Sequence, residues 1–170
     1  METGPRVDVR RADLTGVDAI TVGRLVKAYL VQTELEKSQR LATGIPDSDL
    51  PRRYAEEVED PERAYANAQV LLAELDGTSV GVVVVQQTGN GLEVKRLWVD
   101  PRVRGHHVGS ALLDAACRGQ SNRPIRLTVW DWRDDAIGLY LSRGFVAVPT
   151  WDDRPRLVCM EKHSSQMNVM

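Results

Sequence analysis

The sequence predicts an α+β protein, a mixed α/β sandwich in which strand hairpins alternate with helical crossovers. Runs rich in valine and leucine, typical of strands, are separated by turn sequences such as Asp76-Gly77. Between them lie segments whose apolar residues recur at i, i+3, i+4 and i+7, which is typical of amphipathic helices. The predicted order is β-α-α-β-β-β-α-β-α-β-β. Because hairpins interrupt the crossovers, this order excludes a purely parallel, doubly wound sheet.

The N-terminal part is predicted to be mainly helical. A short strand is expected at residues 7–10, and an amphipathic helix around residues 22–30. Residues 43–51 contain one glycine and two prolines and are predicted to form a loop. A polar helix is expected over residues 51–59, with the chain breaking at Pro61.

The remaining part carries most of the strands. Residues 70–75 and 79–87 form a predicted hairpin, with Asp-Gly as its turn. Residues 80–85 are apolar on both faces, which predicts a central strand. Further strands are predicted at residues 92–99, 126–130, 145–148 and 156–160, and helices at residues 108–118 and 134–141.

Composition and charge exclude several classes of protein. The 170 residues include 42% hydrophobic and 27% charged residues, which is typical of one folded domain. A net charge of −2 disfavours a general nucleic-acid binder. There is no apolar run of membrane-spanning length and no signal-peptide pattern. The two cysteines form no C-x-x-C, so neither a disulfide framework nor a structural zinc site is expected. The sequence therefore predicts a cytoplasmic protein without a metal and without a membrane partner.

The most informative segment joins a strand, a glycine-containing loop and a helix over residues 92–118. Such a junction directs unpaired backbone N–H groups and the positive end of the helix dipole at one point. The loop lacks both the Gly-Lys-Ser/Thr of nucleotide P-loops and the dinucleotide pattern G-x-G-x-x-G. From spacing alone, an anion site and a plain strand–helix turn are equally good interpretations.

Two motifs make a resemblance specific. Residues 104–109 (Arg-Gly-His-His-Val-Gly) resemble the R/Q-x-x-G-x-G/A pyrophosphate loop of the GNAT superfamily of acetyl-CoA-dependent N-acetyltransferases. Residues 136–145 resemble the A-x-x-L-Y-x-x-x-G-F helix and strand entry of that family. The resemblance covers residues 70–162. It implies a mostly antiparallel sheet of about seven strands flanked by about four helices.

The resemblance divides the chain and places acetyl-CoA on it as co-substrate. Residues 7–69 would form the variable acceptor-side segment, residues 70–162 the acetyl-CoA-binding core, and residues 163–170 a tail. The residues implied to bind the pantetheine arm are Leu97, Trp98 and Val99; those implied to bind the pyrophosphate are Arg104, Gly105, His106, His107, Val108, Gly109 and Ser110. An amide of Leu97 or Trp98 would also stabilise the oxyanion. A homodimer is possible, as in many family members.

Two side chains are candidates for proton transfer to and from the reactants. Tyr140 stands where the family places a general acid that protonates the departing thiolate, although a core tyrosine would fit the same stripe. Glu93 stands where histone-type relatives place a base, although a surface glutamate paired with Lys95 or Arg96 would fit as well. Thr128 occupies the alternative base position and cannot act as a base; Asp131 is a spare candidate.

Two positions depart from the family pattern. His107 replaces the first motif glycine, so its ring could crowd the diphosphate or add a donor to it. Arg133 stands where asparagine is usual and could reach a phosphate of the cofactor, or simply begin a helix in solvent.

The acceptor is only weakly indicated. The acidic residues 56–62 lie in the segment that shapes the acceptor cleft, which favours a cationic amine or a basic peptide, unless they are a solvated helix face. Trp130, Trp132 and Trp151 would line an acceptor pocket or cover the core. An alternative to an N-acetyltransferase is a non-catalytic acyl-CoA-binding sensor on the same fold.

Overall fold

The computed structural model of the protein describes residues 6–41, 52–89, 91–118 and 123–163. The strands are β1 (Val7–Arg11), β2 (Ala68–Leu75), β3 (Thr78–Thr88), β4 (Gly91–Val99), β5 (Ile125–Trp130), β6 (Val146–Val148) and β7 (Leu157–Lys162). The helices are α1 (Asp18–Leu41), α2 (Ala55–Glu59), α3 (Pro61–Ala64), α4 (Val108–Cys117) and α5 (Asp134–Ser142).

The strands form one seven-stranded sheet in the order β1-β2-β3-β4-β5-β7-β6. All neighbours are antiparallel except β4 and β5, which run parallel. The predicted α+β class and the mostly antiparallel seven-stranded sheet are therefore confirmed. No helix in the described part of the chain has both the length and the apolar character needed to cross a bilayer.

The helices differ from prediction in two places. Helix α1 is much longer than the expected stretch, although its buried apolar stripe ends at Leu30 and the next buried residue is Thr33. The expected helix at 51–59 is a 3-10 turn (Arg52–Tyr54) followed by α2, and Pro61 begins α3 instead of only breaking the chain. Asp60 accepts a hydrogen bond from the Arg63 amide and so caps α3. The predicted loop at 43–51 and the tail from 164 lie outside the described residues.

Strand β3 is buried on both faces, as its sequence predicts. Val82 and Val84 pack with α1, whereas Val83 and Val85 pack on the opposite face with α4. Its hairpin to β2 turns through Asp76 and Gly77, whose φ angles of 50° and 87° are typical of the type I′ turn that Asp-Gly favours.

A β-bulge interrupts β4. Val82 pairs with Trp98 but Val84 pairs with Lys95, so one residue of β3 faces both Arg96 and Leu97. Arg96 has a φ of 57°, in the left-handed region. Beyond Glu93, β4 no longer pairs with β5. The two parallel strands therefore separate, and a gap opens in the middle of the sheet.

An ion pair holds the bulge. The Arg96 guanidinium donates through Nε and Nη2 to Glu57 of α2 at 2.8 and 3.0 Å, and the Tyr65 hydroxyl donates to the same carboxylate at 2.6 Å. Burial raises the pKa of Glu57, but the hydrogen bonds from Arg96 and Tyr65 outweigh it, so the pKa lies below its usual value. Glu57 is therefore ionised at neutral pH.

We expect Glu57→Gln to lower the free energy of unfolding by about 2–3 kcal/mol, because it leaves Arg96 without its counter-charge. The matched control is Glu56→Gln, whose side chain is 54% exposed and should change stability by less than about 0.5 kcal/mol. Urea denaturation measures both.

The same ion pair predicts a pH dependence. Since the pKa of Glu57 is lowered on folding, its contribution to the free energy of unfolding is present above the ordinary carboxyl range and is lost as the pH falls below it. Equal losses for both variants at pH 7 would contradict this role.

Helices α1 and α2 touch at a glycine. A Cβ at Gly23 would clash with the carbonyl oxygen of Val58, whereas a Cβ at Gly138 of α5 would meet nothing within 4 Å. We therefore expect Gly23→Ala to destabilise the protein by about 1–3 kcal/mol. Gly138→Ala should stabilise it by about 0.5–1 kcal/mol, since alanine favours a helix. Thermal unfolding of the two variants tests the pair, and a stabilising Gly23→Ala would show that α2 does not pack there.

Candidate active site

A cavity of about 280 Å³ lies where β4 and β5 separate. Its walls come from α1, from the second half of β4, from β5 and from the start of α5. Among the predicted catalytic and cofactor residues, it brings together Glu93, Leu97, Arg133 and Tyr140. The predicted pyrophosphate loop at 104–110 is not part of this wall.

Tyr140 projects from α5 into this cavity while its ring packs in the core. Its side chain is almost fully buried, and its ring meets Phe145 edge-on at 5.9 Å. Burial and the neighbouring Tyr29 raise the pKa of the Tyr140 hydroxyl, although Arg133 lowers it slightly. The phenol is therefore protonated at neutral pH and can donate its proton. The two interpretations of Tyr140, as a core residue and as a general acid, are therefore compatible: the ring packs in the core while the residue lines the cavity.

Glu93 lies on β4 and lines the same cavity. Within the described part of the chain its carboxylate forms neither a hydrogen bond nor an ion pair, and Arg96, one suggested partner, is bound to Glu57. Thr128 also lines the cavity but offers only a hydroxyl. Asp131, the spare candidate, is paired with Arg156 at 2.9 Å and lies outside the wall. Glu93 is therefore the one unpaired carboxylate of this wall.

The loop before α4 has the backbone expected of an anion site. Gly105 has a φ of 88° and open space around its α-carbon. His107 takes the left-handed conformation expected of the glycine it replaces, with φ 63° and ψ 20°, at the N-cap of α4. The rings of His106 and His107 are exposed, and neither caps the helix. The first α4 amides, from Val108 to Ser110, are free to bind an anion because a helix leaves its first N–H groups unpaired.

The side chain of Arg104 contacts the last two residues of β4, Trp98 and Val99. The Arg104 side chain donates from Nε to the carbonyl of Val99 at 3.2 Å and lies 4.9 Å above the Trp98 ring. The Trp98 ring is buried on the α1 side of the sheet, so only its backbone is available to a ligand in the gap. Arg104 therefore connects the loop to the strand residues implied to bind pantetheine.

Arg133 is not exposed at the start of its helix. Its Nε donates to Glu36 at 3.0 Å and its Nη2 to Thr33 at 2.8 Å, which ties α5 to α1. Glu36 also accepts from the Trp132 indole at 2.7 Å. The structure thus places Arg133 in the cavity wall, on an internal ion pair, and away from the loop at 104–110.

The tryptophans do not form one cluster. Trp130 lines the cavity, and Trp132 stacks on its outer side with ring centroids 4.9 Å apart. Trp151 lies against Arg126 instead and is 40% exposed. The acidic residues 56–62 contribute nothing to the cavity wall, and Glu57 among them points to Arg96. The acidic stretch that favoured a cationic acceptor therefore does not face the cavity.

Sequence reasoning missed the basic residues of the wall. Lys95 could have been found, because it lies two positions after Glu93 on one strand and so shares its face. The other missed residues come from segments distant in the chain: Lys37 from α1 and Arg154 from the loop before β7. No local pattern marks them.

Comparison with known proteins agrees with this geometry. The sequence model of the acetyltransferase (GNAT) domain matches residues 66–147. No curated protein matches the sequence. Among solved structures, the PaiA N-acetyltransferase of Thermoplasma acidophilum, in complex with coenzyme A, is 20% identical and aligns over 93% of this chain and 99% of that chain, with a TM-score of 0.64.

Further GNAT acetyltransferases show the same likeness. The protein from Streptococcus pneumoniae is 21% identical over 94% of this chain and all of its own, with a TM-score of 0.64. The protein from Staphylococcus aureus Mu50 is 18% identical, covers 92% of this chain and 98% of its own, and has a TM-score of 0.63. At these identities the likeness establishes the fold. The domain match in turn identifies residues 66–147 of this chain as an acetyltransferase (GNAT) domain.

Proposed function

We propose that the protein is an N-acetyltransferase that transfers the acetyl group of acetyl-CoA to a primary amine by direct attack in a ternary complex. The observation that carries the proposal is the cavity at the gap in the sheet, where the protonated phenol of Tyr140 and the unpaired carboxylate of Glu93 share one wall. An acid and a base on one cavity are what aminolysis of a thioester requires.

The proposal assigns acetyl-CoA to the gap and the loop. The amides of residues 105–110 and the N-terminus of α4 would bind the pyrophosphate, and Gly105 leaves room for its approach. The edge of β4 at Leu97, Trp98 and Val99 that β5 leaves unpaired would bind the pantetheine arm. Because Arg133 is paired internally, we assign it to the acceptor side of the cavity instead of a phosphate.

The chemistry then follows from the groups at hand. Glu93 would take a proton from the acceptor ammonium, and the free amine would attack the thioester carbonyl. A backbone N–H of Leu97 or Trp98 would stabilise the oxyanion. When the intermediate collapses, the C–S bond breaks and the Tyr140 hydroxyl would give its proton to the coenzyme A thiolate. The excess proton on the acceptor nitrogen would then pass to the Tyr140 oxygen, and Glu93 would release its proton to solvent. The products are an N-acetylated amine and coenzyme A.

Calorimetric titration with acetyl-CoA tests the cofactor site. We expect saturable binding, and we expect His107→Gly to tighten it roughly threefold to tenfold, because glycine takes a positive φ without strain and removes the ring from the loop. His163→Ala, a change at an exposed histidine distant from the loop in sequence, is the control and should leave the affinity unchanged. Absence of binding at millimolar acetyl-CoA would contradict the proposal.

The acid and the base are tested by substitution. Tyr140→Phe should lower kcat by roughly 10²–10⁴-fold while leaving the affinity for acetyl-CoA within about threefold, because only the proton donor is lost. Glu93→Gln should lower kcat by a similar factor at neutral pH, and less as the pH rises and more acceptor is already deprotonated. Release of coenzyme A measures both, with Glu62→Gln at an exposed glutamate as control.

A non-catalytic acyl-CoA sensor predicts the opposite pattern. Acetyl-CoA would bind, no amine would release coenzyme A, and Tyr140→Phe would change nothing that the assay detects. Saturable binding combined with no turnover for any amine would therefore replace the enzyme by the sensor.

A further inference from the structure

The cavity at the gap is lined by basic side chains. Among the residues that the structure describes, five cationic groups contribute to its wall, against the single carboxylate of Glu93; they are Lys37, Lys95, Arg96, Arg133 and Arg154. All three arginines and one lysine are paired with carboxylates that do not line the cavity; the partners are Glu34 for Lys37, Glu57 for Arg96, Glu36 for Arg133 and Asp152 for Arg154. The cations, and not their partners, face the cavity.

Lys95 is the exception among these cations. In the part of the chain that the structure describes, its ammonium group has no hydrogen bond and no ion-pair partner. It is only partly exposed, and burial lowers its pKa from the ordinary value. A half-buried ammonium that lacks a partner is costly unless a ligand supplies one.

The arginines also keep donors free. Arg96 uses Nε and Nη2 for Glu57, and Arg154 uses Nε and Nη2 for Asp152, at distances of 2.8–3.0 Å. The Nη1 group of each has no partner within the described residues. Two forked guanidinium groups with unused N–H donors are therefore part of the same wall as Lys95, and such donors suit an anionic group.

Two aromatic rings of the wall already face cations of the protein itself. The Tyr29 ring already has Arg96 and Arg133 against it, at 5.8 and 5.4 Å. The Trp130 ring has Lys37 and Arg154 at 5.8 Å each. A ring that already makes cation–π contacts with side chains of the protein attracts a further cation only weakly. The wall therefore disfavours a polyamine or a basic peptide.

We infer that the acceptor is a small amine that also carries an anionic group, a carboxylate or a phosphate, and that Lys95 binds this group while Glu93 faces the amine. This inference rests on the proposed function, whose acceptor it specifies. Glu93 and Lys95 are two residues apart on one face of β4, which separates their positions by about 7 Å. A cavity of about 280 Å³ matches a compact acceptor of this kind.

The first experiment uses the unmodified protein and matched acceptors. Coenzyme A release is measured with L-amino acids, with the corresponding amino-acid amides, with aminoalkyl phosphates and with diamines. We expect kcat/KM for at least one acid or phosphate to exceed that of its neutral analogue by about tenfold or more, since a charged hydrogen bond is lost. The acid and phosphate arms identify which anion is bound. Equal or better rates with amides or diamines would overturn the inference.

The second experiment changes the lysine. Lys95→Met keeps the length of the side chain and removes its charge; it should raise KM for the anionic acceptor about tenfold or more, with kcat and the KM for acetyl-CoA changed less than about threefold. Lys95→Arg should restore most of the loss. Lys27→Met, at an exposed lysine of α1 outside the cavity, is the matched control. If the methionine variant does not fold, Lys95→Gln replaces it in the same measurement. An unchanged KM for the anionic acceptor in a folded variant would overturn the role of Lys95.

Calorimetry separates failure of the inference from failure of the proposed function. The same acids and amides are titrated into the protein saturated with coenzyme A. Binding of the acids but not the amides, with no turnover of any amine, would refute the enzyme and retain the anion site. Turnover that prefers uncharged or dicationic amines would retain the enzyme and refute the anion site.

Discussion

The ion pair between Arg96 and Glu57 holds a left-handed residue in the middle of a β-strand, and the rest of the site depends on it. A left-handed conformation costs a residue with a Cβ about 1–2 kcal/mol. The hydrogen bonds that Arg96 donates to Glu57, whose carboxylate also accepts from the Tyr65 hydroxyl, offset that cost. The bulge turns β4 away from β5, and the separation leaves strand N–H and C=O groups unpaired. The cavity and the unpaired strand edge beside it therefore both lie at the bulge in β4.

A second strained position lies in the loop that follows β4. His107 adopts the backbone of a glycine at the start of α4, so the loop keeps its shape at the expense of strain. Arg104 ties that loop to the end of β4 through the Val99 carbonyl. The two irregular positions, at residues 96 and 107, thus enclose the segment that would carry the cofactor. Arg96 is held by Glu57, which lies outside this segment.

The charges of the cavity are arranged in two shells. The inner shell is basic, whereas the acidic partners lie behind it on α1, on α2 and in the loop before β7. This arrangement keeps the protein near neutral overall, at a net charge of −2, while the cavity itself presents cations. The overall charge and the acidic run at 56–62 consequently say little about the acceptor. Glu57, within that run, pairs with Arg96 and does not line the cavity.

The sequence by itself determined the elements whose signals are local. The Asp-Gly turn, the doubly apolar β3, the loop before α4 and helix α5 follow from neighbouring residues, and so does the α+β class. Two local motifs, at residues 104–109 and 136–145, carry the resemblance to the GNAT family. Only the tertiary structure decided the bulge, the pairing of Arg133 with Glu36 and the basic wall. These features join segments up to about a hundred residues apart. Their energies come from burial and ion pairing across the fold, which no local pattern encodes.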